Sequence, residues 1–430
     1  MMNKRYYLMI LFVISCSIHA IAQKDFNYCA RVMASEPDLS TNNLTRSVPS
    51  DPLFYQQWGL YNSHYPGKDI NMTPIWTTPG LDYITGKNIK IAIIDTGVDT
   101  THIDLSANID SISYDTRTGQ SSYINYFDDN YAHGTHCAGI AAAVKDNGIH
   151  IAGVAPEAKI VSISNSLDSS ETNSRYLADG IIWACDHDVD VISCSWIADY
   201  NLELNSAIQY ALTNGRHGKG CVIVFATGNN SRNSVSYPAN CNDMILAVGA
   251  IDRTGLRASF SNYGEKLDLV APGVDILSTI PFYNLTDSKE GTSMACPHVA
   301  GVAALILQRN SELTVSQVHD IICRSANKLT GVNFNVTKPY GSWNNEYGYG
   351  LVNAYRSVMY TPDTVYIQND TISGARVISG ENIYIGKNVT NDKPYGNVVL
   401  GQGNITLQGR IVKIKNSTTV PLGTSLTIEE

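Results

Sequence analysis

Charge is scarce in this 430-residue chain: only 16% of its residues are Asp, Glu, Lys or Arg, and they sum to a formal net charge of −9. Without a basic excess there is no electrostatic footprint for nucleic acid, whose phosphates are held by clustered Lys and Arg. Long apolar runs are missing as well. Beyond the extreme N-terminus nothing approaches the ~20 residues that a helix needs to cross a bilayer, so no membrane span is expected there. The N-terminus itself carries Lys4 and Arg5, an apolar stretch from Tyr6 to Ile14 and the small-residue site Ala20-Ile21-Ala22. Those are the three parts of an export signal, 1–22, cleaved after Ala22. A second reading of the same stretch takes Val13-Ile14-Ser15-Cys16 as a lipid-attachment site. The mature chain is then tethered through Cys16, rather than released to the periplasm or medium.

No long folded leader is expected either. Residues 23–50 number only 28, are polar and pattern-poor, and end in the linker Ser47-Val48-Pro49-Ser50. Chains below about 40 residues rarely fold unaided, so this segment reads as a short leader and linker. Eight cysteines remain after the signal. Export permits disulfides, although this count leaves many pairings open. Cys137 and Cys296 lie in small-residue helical motifs and read as buried thiols. Cys221 and Cys241 each precede an apolar strand and are the expected bridge.

The length suits one large α/β domain with a small appendage. Apolar runs such as Ile91–Ile94, Val222–Phe225 and Ile245–Ala250 alternate with helical stretches, among them Ser174–Asp188 and Ser316–Lys328. This alternation predicts a parallel sheet covered by helices on both faces. After residue 360 the texture changes. Short runs such as Asn382-Ile383-Tyr384-Ile385 and Ile411-Val412-Lys413-Ile414, separated by Gly and Asn, predict a small β-rich domain over 361–430, in the manner of a short solenoid. Its role is either to bind surface material or take part in export, or to stabilise the domain before it.

Four motifs carry chemistry. Gly291-Thr292-Ser293-Met294-Ala295-Cys296-Pro297-His298 sets a serine at a loop-to-helix junction, where the first peptide N–H groups have no partners inside the helix. Ile93-Ile94-Asp95-Thr96-Gly97 ends a buried strand in a carboxylate. The Asp-Thr-Gly of aspartic peptidases needs a second copy to share a proton, and none occurs. His133-Gly134-Thr135-His136-Cys137 opens a helix with a histidine. A metal pair of His133 and His136 is the weaker reading, because no glutamate lies between them and no further cluster has ligand spacing. Ala226-Thr227-Gly228-Asn229 ends another apolar strand in an amide. A serine hydroxyl attacks a carbonyl only when an imidazole takes its proton, and a carboxylate must orient that imidazole. Asp95, His133 and Ser293 supply those parts. Asn229 and the Ser293 N–H supply two donors for the oxyanion that follows.

Taken together these motifs resemble the subtilisin-like serine peptidases, the subtilase family, over roughly residues 51–360. The order Asp, His, Ser is the family's order and not that of the other two common triad folds. Further matches are Asp268-Leu269-Val270-Ala271-Pro272-Gly273 and Tyr347-Gly348-Tyr349-Gly350-Leu351-Val352-Asn353-Ala354. Asp51-Pro52-Leu53-Phe54-Tyr55 and Cys137 are most similar to the thermitase branch.

The resemblance implies a three-layer subtilisin-like fold and an exported endopeptidase acting on proteins or peptides through an acyl-enzyme. A catalytically silent relative that only binds is the alternative, and all four catalytic positions argue against it. The resemblance also implies a structural calcium held by Asp51, Asp104 and Asn147 with the carbonyls of Val144, Ile149 and Ile151, against the simpler reading of Asp146-Asn147-Gly148 as a turn. The substrate side-chain pocket it implies has Ser195-Trp196-Ile197 on one wall, Ala226-Thr227-Gly228 on the other and Ser236 near the base. Family members commonly have glycine where Ile197 stands, which implies a narrowed pocket favouring slim side chains, unless Ile197 points away.

Overall fold

The computed structural model describes residues 48–121, 132–168, 170–282, 284–415, 418–422 and 424–429. The expected signal segment 1–22 with Cys16, and the leader as far as residue 47 with Cys29, lie outside the described residues.

Seven strands form one all-parallel sheet: β1 (Lys90–Asp95), β2 (Ile109–Asp115), β3 (Lys159–Ser164), β4 (Val191–Cys194), β5 (Val222–Ala226), β6 (Leu246–Ile251) and β7 (Leu269–Pro272), in spatial order β2-β3-β1-β4-β5-β6-β7. The central strands are apolar along their whole length because helices bury both faces. After a short α1 (Thr73–Thr77), the helices are α2 (Ala132–Ala142), α3 (Glu171–Asp186), α4 (Leu202–Gly218), α5 (Thr292–Arg309), α6 (Val315–Ser325) and α7 (Ala354–Tyr360). Helix α5 is apolar nearly all round and runs through the core against β4 to β7. This is the three-layer α/β arrangement that the sequence leads one to expect.

Helix starts obey local capping chemistry. The helix expected from Ser174 begins three residues earlier, because Ser170 caps it by accepting from the Asn173 N–H. Thr314 and Gln317 form a reciprocal capping box that starts α6 at Val315.

The antiparallel pairs β8 (Ile276–Ile280) with β9 (Leu285–Lys289), and β10 (Val336–Lys338) with β11 (Gly341–Trp343), lie outside the main sheet. Nine further strands build the C-terminal segment: β12 (Thr364–Ile367), β13 (Asp370–Ile372), β14 (Arg376–Ser379), β15 (Asn382–Ile385), β16 (Val398–Leu400), β17 (Gly403–Gln408), β18 (Ile411–Ile414), β19 (Thr418–Thr419) and β20 (Thr424–Glu429). They stack as three parallel three-stranded sheets, the arrangement of a three-faced solenoid. Thr364 pairs with Asn382 and Asn382 with Ile411, so successive coils take 18 and 29 residues. Inward Ile and Leu columns, such as Ile378 over Leu407, make a small separate core. Ser311 N–H donates to the Ser379 carbonyl, and Glu312 lies 3.3 Å from Lys219 and 3.1 Å from Arg376, joining solenoid to α/β body.

Candidate active site

Asp95 is the last residue of β1, which places its carboxylate at the C-terminal edge of the sheet, where sites form in open α/β folds. It is fully buried, and its Oδ1 lies 2.7 Å from His133 Nδ1 while also accepting the Thr96 N–H at 2.7 Å. His133 sits in the first turn of α2. What lets α2 come so close is Gly134. A Cβ there would stand 2.3 Å from the Gly97 carbonyl oxygen and 3.1 Å from Asp95 Cβ. Burial opposes a charge on His133, yet its neighbours, the Asp95 carboxylate first and Cys137 after it, together hold the imidazole well above its usual pKa. Cys137 lies one turn along, and burial pushes its own thiol up.

His136 points elsewhere. Its Nε2 meets the Asp287 carbonyl at 3.1 Å, and burial lowers its pKa to about 3, which makes it a neutral structural histidine. The metal pair with His133 is therefore not assembled.

Ser293 occupies the first turn of α5, part-buried, with its hydroxyl donating to the Ser195 carbonyl at 3.0 Å. The sequence reading missed Pro297, which lies four residues on and has no N–H to give the Ser293 carbonyl. That carbonyl accepts instead from Ser195 Oγ at 2.8 Å and Cys137 Sγ at 3.5 Å. The first turn of α5 is thereby tied to the end of β4 and to α2. A proline one turn inside an otherwise regular helix was the available signal.

Asn229 follows β5. Its Oδ1 accepts both the Thr292 N–H (2.9 Å) and the Thr292 hydroxyl (2.8 Å), so the amide is fixed with Nδ2 outward. The point where Gly291 would carry a Cβ is 3.3 Å from Asn229 Nδ2 and 3.6 Å from Ser293 N. Gly291, at φ 150°, leaves that space empty. Two donors therefore converge on one small void beside the serine. Thr292 was another residue the motif reading passed over.

The flanking segments are arranged as follows. Trp196 turns inward: its Nε1 donates to the Ile94 carbonyl at 2.8 Å and its ring meets Phe225 edge-on. Ile197 is 49% exposed. Ala226 and Thr227 are buried, and the Thr227 hydroxyl donates to the Asn262 carbonyl, away from the cleft. Gly228 has φ 98°, and a Cβ there would meet Asn262 Nδ2 at 2.7 Å and Ser236 Oγ at 2.8 Å. Backbone, rather than side chain, forms that wall.

At the expected calcium site, Asp51 and Asp104 are buried together, with burial raising both pKa values, that of Asp104 to about 6. Asp51 Oδ1 is buried without a hydrogen-bond donor. Asp104 accepts from Asn147 Nδ2 at 2.8 Å and from the Ile151 N–H at 3.1 Å, while Asn147 Oδ1 accepts the Ile149 N–H. Among the described residues no donor reaches the carbonyls of Val144, Ile149 or Ile151. Two buried carboxylates, an orphaned oxygen and open carbonyls fit a hard cation.

The expected Cys221–Cys241 bridge is not formed. Cys221 Sγ donates to the Val189 carbonyl, and both Cys221 and Cys241 are free thiols.

Comparison with known proteins agrees with this geometry. The profile of the subtilase family matches residues 86–350. A thermophilic serine proteinase of Bacillus sp. (strain AK1) is 36% identical over 327 residues, 75% of each chain. Thermitase of Thermoactinomyces vulgaris is 36% identical over 318 residues, 73% of this chain and 100% of that one. Among solved structures, a protease of Pseudoalteromonas arctica PAMC 21717 superposes with a TM-score of 0.60 at 30% identity, covering 74% of this chain and all of the other. The chain belongs to the subtilase family and is a subtilisin-like serine endopeptidase.

Proposed function

We propose that this protein is an exported endopeptidase in which Ser293 is the nucleophile, His133 the general base, Asp95 the orienting carboxylate and Asn229 an oxyanion donor. The observation that carries the reading is the 2.7 Å Asp95–His133 contact together with the two donors that converge at Gly291. The Ser293 hydroxyl turns from the Ser195 carbonyl toward His133 Nε2, which takes its proton as Oγ attacks the peptide carbonyl. Asp95 holds the proton on Nδ1 and stabilises the imidazolium. The oxyanion settles between Asn229 Nδ2 and Ser293 N–H. His133 then protonates the leaving amine, and water, activated in the same way, releases the acyl group.

Calcium is the ion for the buried cluster, with Asp51, Asp104, Asn147 and the carbonyls of Val144, Ile149 and Ile151 as ligands. When bound it supplies charge that the two carboxylates otherwise lack. Ser195, Trp196, Ile197, Ala226, Thr227 and Gly228 flank the substrate through their backbones, and Ile197 narrows the entrance to the side-chain pocket. Cleavage of a peptide library after slim residues, shifting toward Phe and Leu in Ile197→Gly, is the expected outcome, and an unchanged preference refutes that role. The peptidase domain spans 51–360, and the solenoid of 361–430 serves to stabilise it, in keeping with the half-buried Lys219–Glu312–Arg376 trio. No described helix is long and apolar enough to cross a membrane. Release from the cell follows from the signal 1–22, or tethering from Cys16.

Fluorophosphonate labelling tests the assignment. Stoichiometric label on Ser293, absent from Ser293→Ala, is expected. Folded, calcium-loaded protein that takes no label would overturn it and make the chain a silent relative.

A further inference from the structure

We propose that Asp268, His319 and Cys323 form a zinc site that clips α6 to the start of β7. His319 and Cys323 stand one turn apart on α6, and Asp268 immediately precedes β7. One oxygen of Asp268, one nitrogen of His319 and the Cys323 sulfur all lie within 4.8 Å of one another. Asp268 is held from two sides. Its Oδ2 accepts the Ala247 N–H at 2.9 Å, and its carbonyl accepts the Tyr349 N–H at 2.6 Å. That leaves Oδ1 3.5 Å from His319 Nε2, while Nδ1 of the same ring lies 3.8 Å from Cys323 Sγ. Asp268 and His319 are distant in sequence, so ligand spacing along the chain does not announce the set.

The orphaned imidazole nitrogen points to an ion. His319 is 1% exposed, yet its Nε2 has no hydrogen-bond partner. His102, His136 and His298 are buried too, and each sets a ring nitrogen 3.0, 3.1 and 2.8 Å from a backbone carbonyl. His319 faces a thiol and a carboxylate oxygen instead. Ligand atoms around a tetrahedral zinc stand about 3.3–3.8 Å apart, given metal–ligand bonds of ~2.0–2.3 Å. The 3.5 Å between Nε2 and Oδ1 suits two ligands of one ion, whereas the hydrogen-bonded pair of His133 and Asp95 closes to 2.7 Å. Bringing the sulfur to the same nitrogen takes side-chain movement on the order of 1 Å.

The donor set selects the metal. Thiolate and imidazole favour zinc, while Ca²⁺ and Mg²⁺ take oxygen ligands. A carboxylate and a thiolate also balance the two charges of the ion, which displaces the thiol proton on binding. A cavity of about 240 Å³, lined by Asp268, His319, Tyr340 and Lys338 among others, gives water access to the fourth position. The cluster sits at the N-terminal edge of the sheet, the opposite edge from Asp95, so the ion acts on stability and not on the reaction. Among the described residues one other group has the same donor types, namely Asp95, His133 and Cys137, and there the carboxylate already bonds the ring.

The test uses the full chain with Ser293→Ala to prevent self-digestion, stripped with chelator and returned to excess Ca²⁺ so that oxygen-only sites are filled. Titration with Co²⁺, a spectroscopic stand-in for zinc, should raise a near-ultraviolet thiolate-to-metal band that saturates at one equivalent and is erased by Zn²⁺. The band should vanish in Cys323→Ser and persist in Cys137→Ser, which removes the thiol beside His133. His319→Gln should weaken Co²⁺ binding by more than the ~10- to 100-fold that losing an outer-shell partner costs. Zn²⁺ should also raise the Tm of the parent protein and leave that of Cys323→Ser unchanged. Folded protein that shows neither band nor Tm rise would overturn the proposal, as would a band that survives Cys323→Ser or depends on Cys137.

Discussion

Gly134→Ala is a single methyl group aimed at the geometry of the site. In the structure that methyl carbon would sit 2.3 Å from the Gly97 carbonyl oxygen, a contact that must open to at least 3.0 Å. The obstacle is backbone, so α2 has to move off the end of β1 by at least 0.7 Å. His133 precedes the substituted residue and moves with it. Its 2.7 Å bond to Asp95 then stretches to about 3.4 Å, beyond the normal range for a hydrogen bond. Misplacement of a reacting group by ~1 Å costs about 100-fold in rate, close to 3 kcal/mol of transition-state stabilisation.

Stability responds differently. Alanine favours a helix over glycine by ~1 kcal/mol, which offsets part of an overpacking cost of ~1–3 kcal/mol. The variant should stay folded with a Tm within several degrees of wild type. Steady-state hydrolysis of a chromogenic peptide reads the effect: kcat falls about 100-fold while KM, set by the strands flanking the cleft, changes little. Folded Gly134→Ala with kcat within threefold of wild type would show that the Asp95–His133 contact does not limit the rate, and the triad assignment would lose its main support.

Protonation offers an independent check. His133 must be neutral to act as a base, and Asp95 holds its pKa well above 6.5. Activity is therefore lost as pH falls through that raised value, and the acid limb of kcat/KM should lie on the alkaline side of 6.5; a limb near pH 5 contradicts the pairing. Chelation should expose the Asp51–Asp104 cluster as two buried carboxylates. If calcium stands at a thousand times its Kd, removing it costs about 4 kcal/mol, so calorimetry of Ser293→Ala should show a Tm drop restored by Ca²⁺ but not by Mg²⁺, which demands stricter octahedral geometry. An unchanged Tm would leave the cluster a plain turn. At the solenoid junction, Arg376→Met leaves Glu312 paired only with Lys219. The cost should be about 1–3 kcal/mol, below that of fully breaking a buried pair, and limited proteolysis should release the 361–430 segment sooner. Equal cleavage rates would mean the trio does not hold the solenoid.

Much was legible in the residues alone because it was local. Ile91-Ala92-Ile93-Ile94 is a strand buried on both faces whatever surrounds it, and a carboxylate at its end falls at the sheet's C-terminal edge. Alternating short apolar runs after residue 360 announced the solenoid, since each coil must present one side chain in two to its interior. The four chemical motifs were readable as parts before any of them was placed.

Pairing was another matter. That Cys221 gives its thiol proton to the Val189 carbonyl and does not pair with Cys241 depends on how α3 turns into β4 and on the space Gly215 leaves. That Trp196 fills the core while Ile197 looks outward depends on where β4 ends against β1 and β5. The carbonyl freed by Pro297 could have met water; only the approach of β4 and α2 gives it Ser195 and Cys137. Sequence by itself determined the elements, the residue types of the site and their order, because strand burial, helix capping and side-chain chemistry act over a few neighbouring positions. Tertiary structure alone decided which of those groups touch, because contacts between residues dozens to hundreds apart are chosen by the joint packing of the sheet and its helices.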